Sequence, residues 1–344
     1  MPRILMHFYE SAKLVLEKKD PEKLDNIKVS EFVNAIFGET MHQKRIKSLV
    51  NAAIGLLYAE ELILHKIGEG LAQAKGLNKK HATKQVDRLL SNQKLNIWDE
   101  SGIWAPHIIG DRKEIMVSMD WTDFHADGQS TIAINLLTNH GRAIPILWKT
   151  VNKSTLKKNR ACYEDQILSR LKNIVPEGVK VTVLADRVFP HQKFLKFIDE
   201  ELGFFYIIRT KSNLYVTDKN GITKSAKDWL KQDGVTKILD KASIAADKYP
   251  VEKFIFTKQK GMKDAWYLMS NCTDLKGLQI VKFYEKRWTI EPYFRDMNNQ
   301  RCGMGLSSTH ISTPERRDRL FFISAIALLI ILGLPMKALD WTEN

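Results

Sequence analysis

The sequence predicts a mixed α/β fold with an all-helical N-terminal domain, and three observations carry that expectation. Up to about residue 105 apolar residues recur at helical spacing with few strand signals. From Glu114 the pattern changes to short alternating and β-branched runs with hairpin turns between them. Beyond the third such run, helix and strand patterns take turns along the chain.

In the helical part, residues 1–105, Ile46, Leu49, Val50, Ala53, Leu56 and Leu57 mark one amphipathic helix. The segment 60–91 carries a sharper signal. One helix ends near Lys75, Gly76 makes the turn, and Asn78 caps a second helix running to about Ser91. That second helix bears Lys79, Lys80, His81, Lys84, Gln85 and Arg88. A short glycine turn followed by a basic helix matches a helix-turn-helix, whose second helix enters the major groove of DNA. Lys79, Lys80, Lys84 and Arg88 are its candidate DNA contacts; the plainer alternative is a helical hairpin with a basic outer face.

The strand region opens with EIMVSMDWTDF, read as a strand up to Asp120, and continues with STIAINLLT, a turn at Asn139–Arg142, and AIPILWKTV. A basic connector containing Lys157 and Lys158 leads to a helix near 161–174, then to the apolar strand VKVTVLAD ending on Asp186. A helix near 191–201 and the strand FFYIIRT follow, giving the order βββαβαβ. That order is the RNase H-like arrangement, a mixed sheet with helices on both faces. Residues 211–264 are too long for a loop and read as a lysine-bearing, β-rich insertion. AWYLMSN then returns to the main sheet and a helix begins at about Leu275, so the core comprises 106–210 and 265–344. The apolar run Leu320–Leu334 is closed by Pro335 and falls short of the ~18–20 residues of a bilayer span. It reads as a buried core helix, and no membrane partner is expected.

Lysine and arginine total 53 against 40 acids, a formal charge of +13 spread along the chain. Such an excess favours a polyanion partner, most simply nucleic acid. The three cysteines, Cys162, Cys272 and Cys302, contain no CxxC pair, which excludes a zinc ribbon and a disulfide framework and points to a reducing compartment. The N-terminus lacks the apolar stretch of a signal peptide, so a cytoplasmic location is expected.

The stretch YEKRWTIEPYFRDMN, residues 284–298, is where the chemistry concentrates. At about 100° per residue on a helix, Tyr284, Arg287, Glu291, Arg295 and Asn298 share one face. A carboxylate between a phenol and two guanidinia suits a metal ligand with phosphate clamps beside it; the bland reading is a solvated face with a Glu291–Arg295 pair. Asp120 and Asp186 each follow an apolar strand, and strands ending at one sheet edge bring distant side chains together. With Glu291 they form an oxygen-only set suited to Mg²⁺, with Mn²⁺ as substitute. Asp123 competes with Asp120, but on a continuing strand it points to the opposite face.

Taken together, these residues resemble the bacterial insertion-sequence transposases of the DDE class, in the insertion sequence 4 type group marked by a Tyr-Arg-Glu-Lys signature. Tyr284, Arg287 and Glu291 stand at the signature spacing, while Asn298 occupies the lysine position. LADRVF resembles the second-aspartate motif with Val188 in place of glycine, and MDWTDF resembles the first. The resemblance implies an RNase H-like catalytic core binding metal through Asp120, Asp186 and Glu291. It further implies cleavage at transposon ends, joining of the 3′-hydroxyl to target DNA, and a homodimer in a synaptic complex in the bacterial nucleoid. Tyr284 and Arg287 would hold phosphates, Arg295 or Arg301 would take up the charge of the missing lysine, and Trp229 of the insertion would stack on a flipped base. Two other functions fit the same residues: a non-catalytic repressor derived from a transposase, and a structure-selective nuclease of the same fold.

Overall fold

The computed structural model describes residues 26–138, 143–186, 192–230, 235–244, 248–289 and 309–331. Five helices come first: α1 (Asn26–Phe37), α2 (Gln43–Ala59), α3 (Leu64–Lys75), α4 (Lys79–Leu90) and α5 (Ile97–Ile109). Gly76 ends α3 in the left-handed conformation at φ 63°, which a residue without Cβ adopts freely. Asn78 caps α4 by accepting from the backbone N–H groups of Lys80 and His81. Glycine also sets how closely these helices cross. A side chain at Gly70 would strike the Gly55 carbonyl of α2, and one at Gly68 would strike Thr83 of α4.

The sheet has ten strands in the order β3-β2-β1-β4-β5-β10-β9-β8-β6-β7. Its first half is built from β1 (Glu114–Phe124), β2 (Gln129–Leu137), β3 (Ala143–Asn152), β4 (Lys180–Ala185) and β5 (Phe205–Arg209). β1 pairs antiparallel with β2 and parallel with β4, and β4 pairs parallel with β5. This is the strand order of the expected RNase H-like core. Helix α6 (Lys153–Ile174) joins β3 to β4, and α7 (Gln192–Lys196) with a π-helical turn at Phe197–Glu201 lies between β4 and β5.

Two local expectations change. The basic connector after β3 is the first part of α6: lysines and arginines are good helix formers, and Arg160 pairs with Glu164 one turn on, at 3.1 Å. Lys157 and Lys158 therefore project from a helix, exposed. Strand β1 runs on past Asp120 to Phe124, because its backbone stays paired with β2 as far as Gln129.

The insertion comprises β6 (Tyr215–Thr217), β7 (Thr223–Ser225), α8 (Ala226–Trp229), β8 (Lys237–Ile244) and β9 (Tyr249–Thr257). It extends the main sheet, since β9 pairs along β10 (Trp266–Ser270), which in turn pairs with β5. Helix α9 (Gly277–Glu285) covers one face of the sheet, and α10 (Pro314–Ile331) lies on the other.

The apolar core joins the described N-terminal helices to the sheet. One continuous cluster runs from Val29 and Phe37 of α1 through the sheet to Leu329 of α10. Phe322 of α10 makes edge contacts with Phe37 (5.5 Å) and Trp104 (5.6 Å), and Trp104 donates its indole N–H to the Pro145 carbonyl on β3. Each such aromatic buries enough area to contribute about 2–3 kcal/mol, so α10 rivets helices and sheet into one body. Polar grips reinforce it. Arg319 donates to the Leu90 and Leu95 carbonyls after α4, each at 2.8 Å, and Arg316 pairs with Asp87 at 2.6 Å. Among the described residues no helix is long and apolar enough to cross a membrane.

Candidate active site

Alternation along β1 sends Ile115, Val117, Met119 and Trp121 to one face and Met116, Ser118 and Asp120 to the other. The first set faces α6, where the Trp121 indole donates to the buried Glu164 at 2.9 Å. The second faces the smaller apolar cluster beneath α9, built from Leu184, Ile207, Leu268, Ile280, Val281 and Tyr284. Ser118 and its cross-strand partner Asn135 are both fully buried on that face, one step behind Asp120.

Asp120 and Asp186 meet because of strand register. β1 and β4 run parallel with Met119 opposite Ala185, so the next residues on each chain, Asp120 and Asp186, emerge side by side. Neighbouring strands lie ~4.8 Å apart. Across the pair lies Arg287: Nη1 contacts Asp120 Oδ2 at 3.2 Å and Nη2 contacts Asp186 Oδ2 at 3.3 Å. The side chain of Arg287 is 5% exposed, whereas those of Asp120 and Asp186 are 32% and 26% exposed. The acids thus keep an open side while the cation between them is enclosed.

The electrostatics follow from this packing. Burial against the sheet pushes the Asp120 carboxyl up from its ordinary value; Arg287 and the Trp121 backbone N–H pull it down, Asp186 pushes it up, and burial prevails. Burial works against the charge of Arg287, but Tyr284, Asp186 and Asp120 outweigh it and hold the guanidinium above its usual range. Tyr284 is fully buried, packed edge-on against Trp266 at 5.2 Å, and burial raises its phenol well beyond the ordinary tyrosine value.

Helix α9 ends at Glu285, and Lys286–Thr289 form a 3₁₀ turn. Over 284–289 this replaces the continuous helical face read for 284–298, whose remaining residues, 290–298, lie outside the described residues. Tightening the turn changes the angle per residue and tips Arg287 over the sheet edge, while Tyr284 stays in the core rather than beside it as a phosphate clamp. Glu291, Arg295, Asn298 and Arg301 lie outside the described residues, as does Val188. Among the described residues no group of three or more His, Cys, Asp or Glu side chains is placed to hold a metal. Asp120 and Asp186 nevertheless suit a hard divalent cation. Their donors are oxygen only, and the space between them already accommodates a positive group.

The other candidates separate cleanly. Asp123 is engaged elsewhere, accepting from Ser130 and pairing with Lys153 at 2.9 Å. Lys79, Lys80, Lys84 and Arg88 are exposed on α4, with Lys79 3.6 Å from Glu69. Trp229 is buried: its indole donates to the Val216 carbonyl at 3.0 Å, Phe256 packs against it, and Lys237 lies 4.3 Å over its ring. It is a core residue of the insertion and cannot stack on a base from that position. Tyr215, 62% exposed, is the aromatic that this insertion presents to solvent among the described residues.

Sequence reasoning missed a buried network that ties α10 and Ile311 to the turn between β1 and β2. Arg317 is fully buried, pairs with Asp127, donates to Gln129 Oε1 at 2.7 Å and lies 3.8 Å over the Phe124 ring. Asp127 also accepts from the Ile311 backbone at 3.0 Å, and Gln129 donates to the Ile311 carbonyl at 2.9 Å. The available signal was ERRDR, a charged cluster heading an otherwise apolar helix.

Comparison with known proteins gives one strong match. Residues 111–330 match the family described as the transposase DDE domain. No curated protein matches the chain. Two solved structures of Marinitoga piezophila Argonaute are weakly similar. The complex with 5′ OH guide RNA shares 14% identity over 77% of this chain and 38% of that one, with a TM-score of 0.24. The complex that also holds target DNA shares 13% over 75% and 35%, with a TM-score of 0.20. The chain thus spans less than two fifths of the length of those Argonaute chains.

Proposed function

This chain belongs to the transposase DDE-domain family, and on that premise we propose that it cleaves DNA at transposon ends and joins the freed 3′-hydroxyl to target DNA. The observation that carries the reading is the pair of carboxylates set side by side on parallel neighbours, Asp120 within β1 and Asp186 just past the end of β4, sharing one enclosed cation. Glu291 completes the ligand set for Mg²⁺, with Mn²⁺ as substitute. A divalent ion bound there supplies a Lewis acid that activates a water or hydroxyl and stabilises charge on the phosphoryl oxygens. Asp120 and Asp186 would hold that ion, and their solvent-exposed sides would admit the phosphodiester. The insertion sequence 4 type and the Tyr-Arg-Glu-Lys signature belong to this proposal, as do the homodimeric synaptic complex and the bacterial nucleoid setting.

Helix α4 serves as the end-reading element, with Lys79, Lys80, Lys84 and Arg88 toward the DNA; Lys157 and Lys158 on α6 add phosphate contacts, as does Arg295. Because α10 grips the end of α4 through Arg316 and Arg319, end recognition and cleavage sit on one rigid frame. Replacing Lys79, Lys80 and Lys84 together with alanine is expected to remove preference for the ends first. The slope of log K against log salt should fall by about 3, near one per lysine. Filter binding on end and random duplexes measures both; equal loss on the two would remove the helix-turn-helix assignment.

The deciding experiment incubates the protein with the DNA flanking its own coding region and an acceptor plasmid in Mg²⁺. Cleaved ends joined covalently to the acceptor are expected. Binding without cleavage would instead identify a repressor, and cleavage without joining a nuclease.

A further inference from the structure

We propose that Arg287 is the resident counter-ion of the acid pair, a guanidinium that holds Asp120 and Asp186 together and must withdraw before a divalent cation enters. The inference deepens the reading of these acids as metal ligands and rests on it. Two carboxylates side by side on neighbouring strands repel each other, and in a half-buried setting one of them would take up a proton or turn away. Here a single planar fork spans both, Nη1 to Asp120 at 3.2 Å and Nη2 to Asp186 at 3.3 Å. A guanidinium keeps its charge at every accessible pH, so the two acids stay aligned without metal on one fixed cation, which offsets half of their combined negative charge.

The mounting of Arg287 suits such a part. Its guanidinium lies 5.7 Å from the Tyr284 ring centre, and Tyr284 is itself wedged against Trp266. Arg287 stands in a 3₁₀ turn just after α9 ends, a short element that can re-form without unwinding the helix it follows. The guanidinium and a hard cation would use the same Oδ2 atoms, so they compete. Once displaced, a buried guanidinium needs another anion, and a DNA backbone phosphate offers the bidentate geometry it prefers. Metal entry is thereby coupled to DNA arrival: the free protein keeps its acids closed on Arg287, and a phosphate draws the arginine off as the ion takes its place.

Mn²⁺ binding to the full chain, followed by loss of the free-ion electron paramagnetic resonance signal, tests this directly. Arg287→Gln is expected to bind Mn²⁺ about tenfold more tightly than the unmodified protein, because occlusion lowers apparent affinity by the fraction of molecules that are open. Arg287→Lys, which keeps the charge and loses the fork, should fall between them, and it carries the test if circular dichroism shows the glutamine variant unfolded. Adding a mixed-sequence duplex at low salt, corrected for Mn²⁺ on duplex alone, should tighten binding in the unmodified protein and leave Arg287→Gln unchanged. Asp120→Asn should abolish the site in every background. Equal or weaker Mn²⁺ binding in both arginine variants, with Asp120→Asn still abolishing it, overturns the counter-ion role and leaves the metal site standing. Binding that is absent throughout, or indifferent to Asp120→Asn, removes the metal reading itself.

Discussion

Asp120→Asn and Asp186→Asn are each expected to lower end cleavage and joining by about 10³-fold or more, because each removes an anionic oxygen from a site whose chemistry depends on a bound cation. Binding of end DNA should stay within about twofold, since phosphate contacts come from basic side chains elsewhere. The substitution is nearly isosteric, so the sheet edge is preserved. Its local cost is that an amide N–H can turn toward Arg287, which already approaches Asp120 at 3.2 Å. Relief of repulsion between the two acids offsets that cost, and the net change in stability should be about 1 kcal/mol. Asp123→Asn is the control. Asp123 stands three residues along the same strand, but its carboxylate is engaged by Ser130 and Lys153, so catalysis should change little. A cleavage gel with matched binding isotherms reads all three variants. If Asp123→Asn abolished cleavage while Asp120→Asn did not, the site would have been built around the wrong edge of β1.

How much of this was legible in the sequence depends on the range of the forces involved. The boundary between α3 and α4 was readable because caps and turns are local: Gly76 and Asn78 act on the backbone within four residues of themselves. The βββαβαβ order was readable because alternation and hairpin chemistry are local too. The meeting of Asp120 with Asp186 was foreshadowed by two apolar runs each ending in an acid, although the register that brings them side by side is a property of the folded sheet. The contact of Arg287 with the acids was not legible. Helical spacing puts it beside Tyr284, and its guanidinium does lie 5.7 Å from that ring, but only the folded sheet and the 3₁₀ turn after α9 bring it onto Asp120 and Asp186. Trp229 looked like an exposed stacking residue because an isolated tryptophan in a polar stretch carries no local sign of what covers it. Its burial comes from Val216 and Phe256, thirteen and twenty-seven residues away. The packing of the N-terminal helices onto the sheet was hidden likewise, because the apolar helix that joins them lies more than two hundred residues downstream.

Asp127→Ala is expected to cost about 3–5 kcal/mol of stability, a large effect for a single truncation, because it strands a buried guanidinium. Arg317 is fully enclosed, and burial already pushes it below its ordinary range despite the opposing pull of Asp127. Of its other contacts, Gln129 accepts one hydrogen bond and Phe124 offers a ring face, while Nη1 finds no partner among the described residues and Asp318 attracts the charge less than Asp127 does. Arg317→Met removes the charge and fills similar volume, so it should cost less than Asp127→Ala. Adding Asp127→Ala to Arg317→Met should then cost little more, and the difference between the two cycles isolates the ion pair. Urea midpoints measure stability, and end cleavage should be followed in parallel. Ile311, held by both Asp127 and Gln129, stands just beyond the stretch 290–308 that contains Glu291. A variant loosened at that anchor should therefore lose cleavage at temperatures well below its unfolding midpoint, with DNA binding retained. A midpoint shift for Asp127→Ala no larger than that of ordinary surface substitutions, about 0.5 kcal/mol, would show that the buried pair does not hold α10 to the turn between β1 and β2.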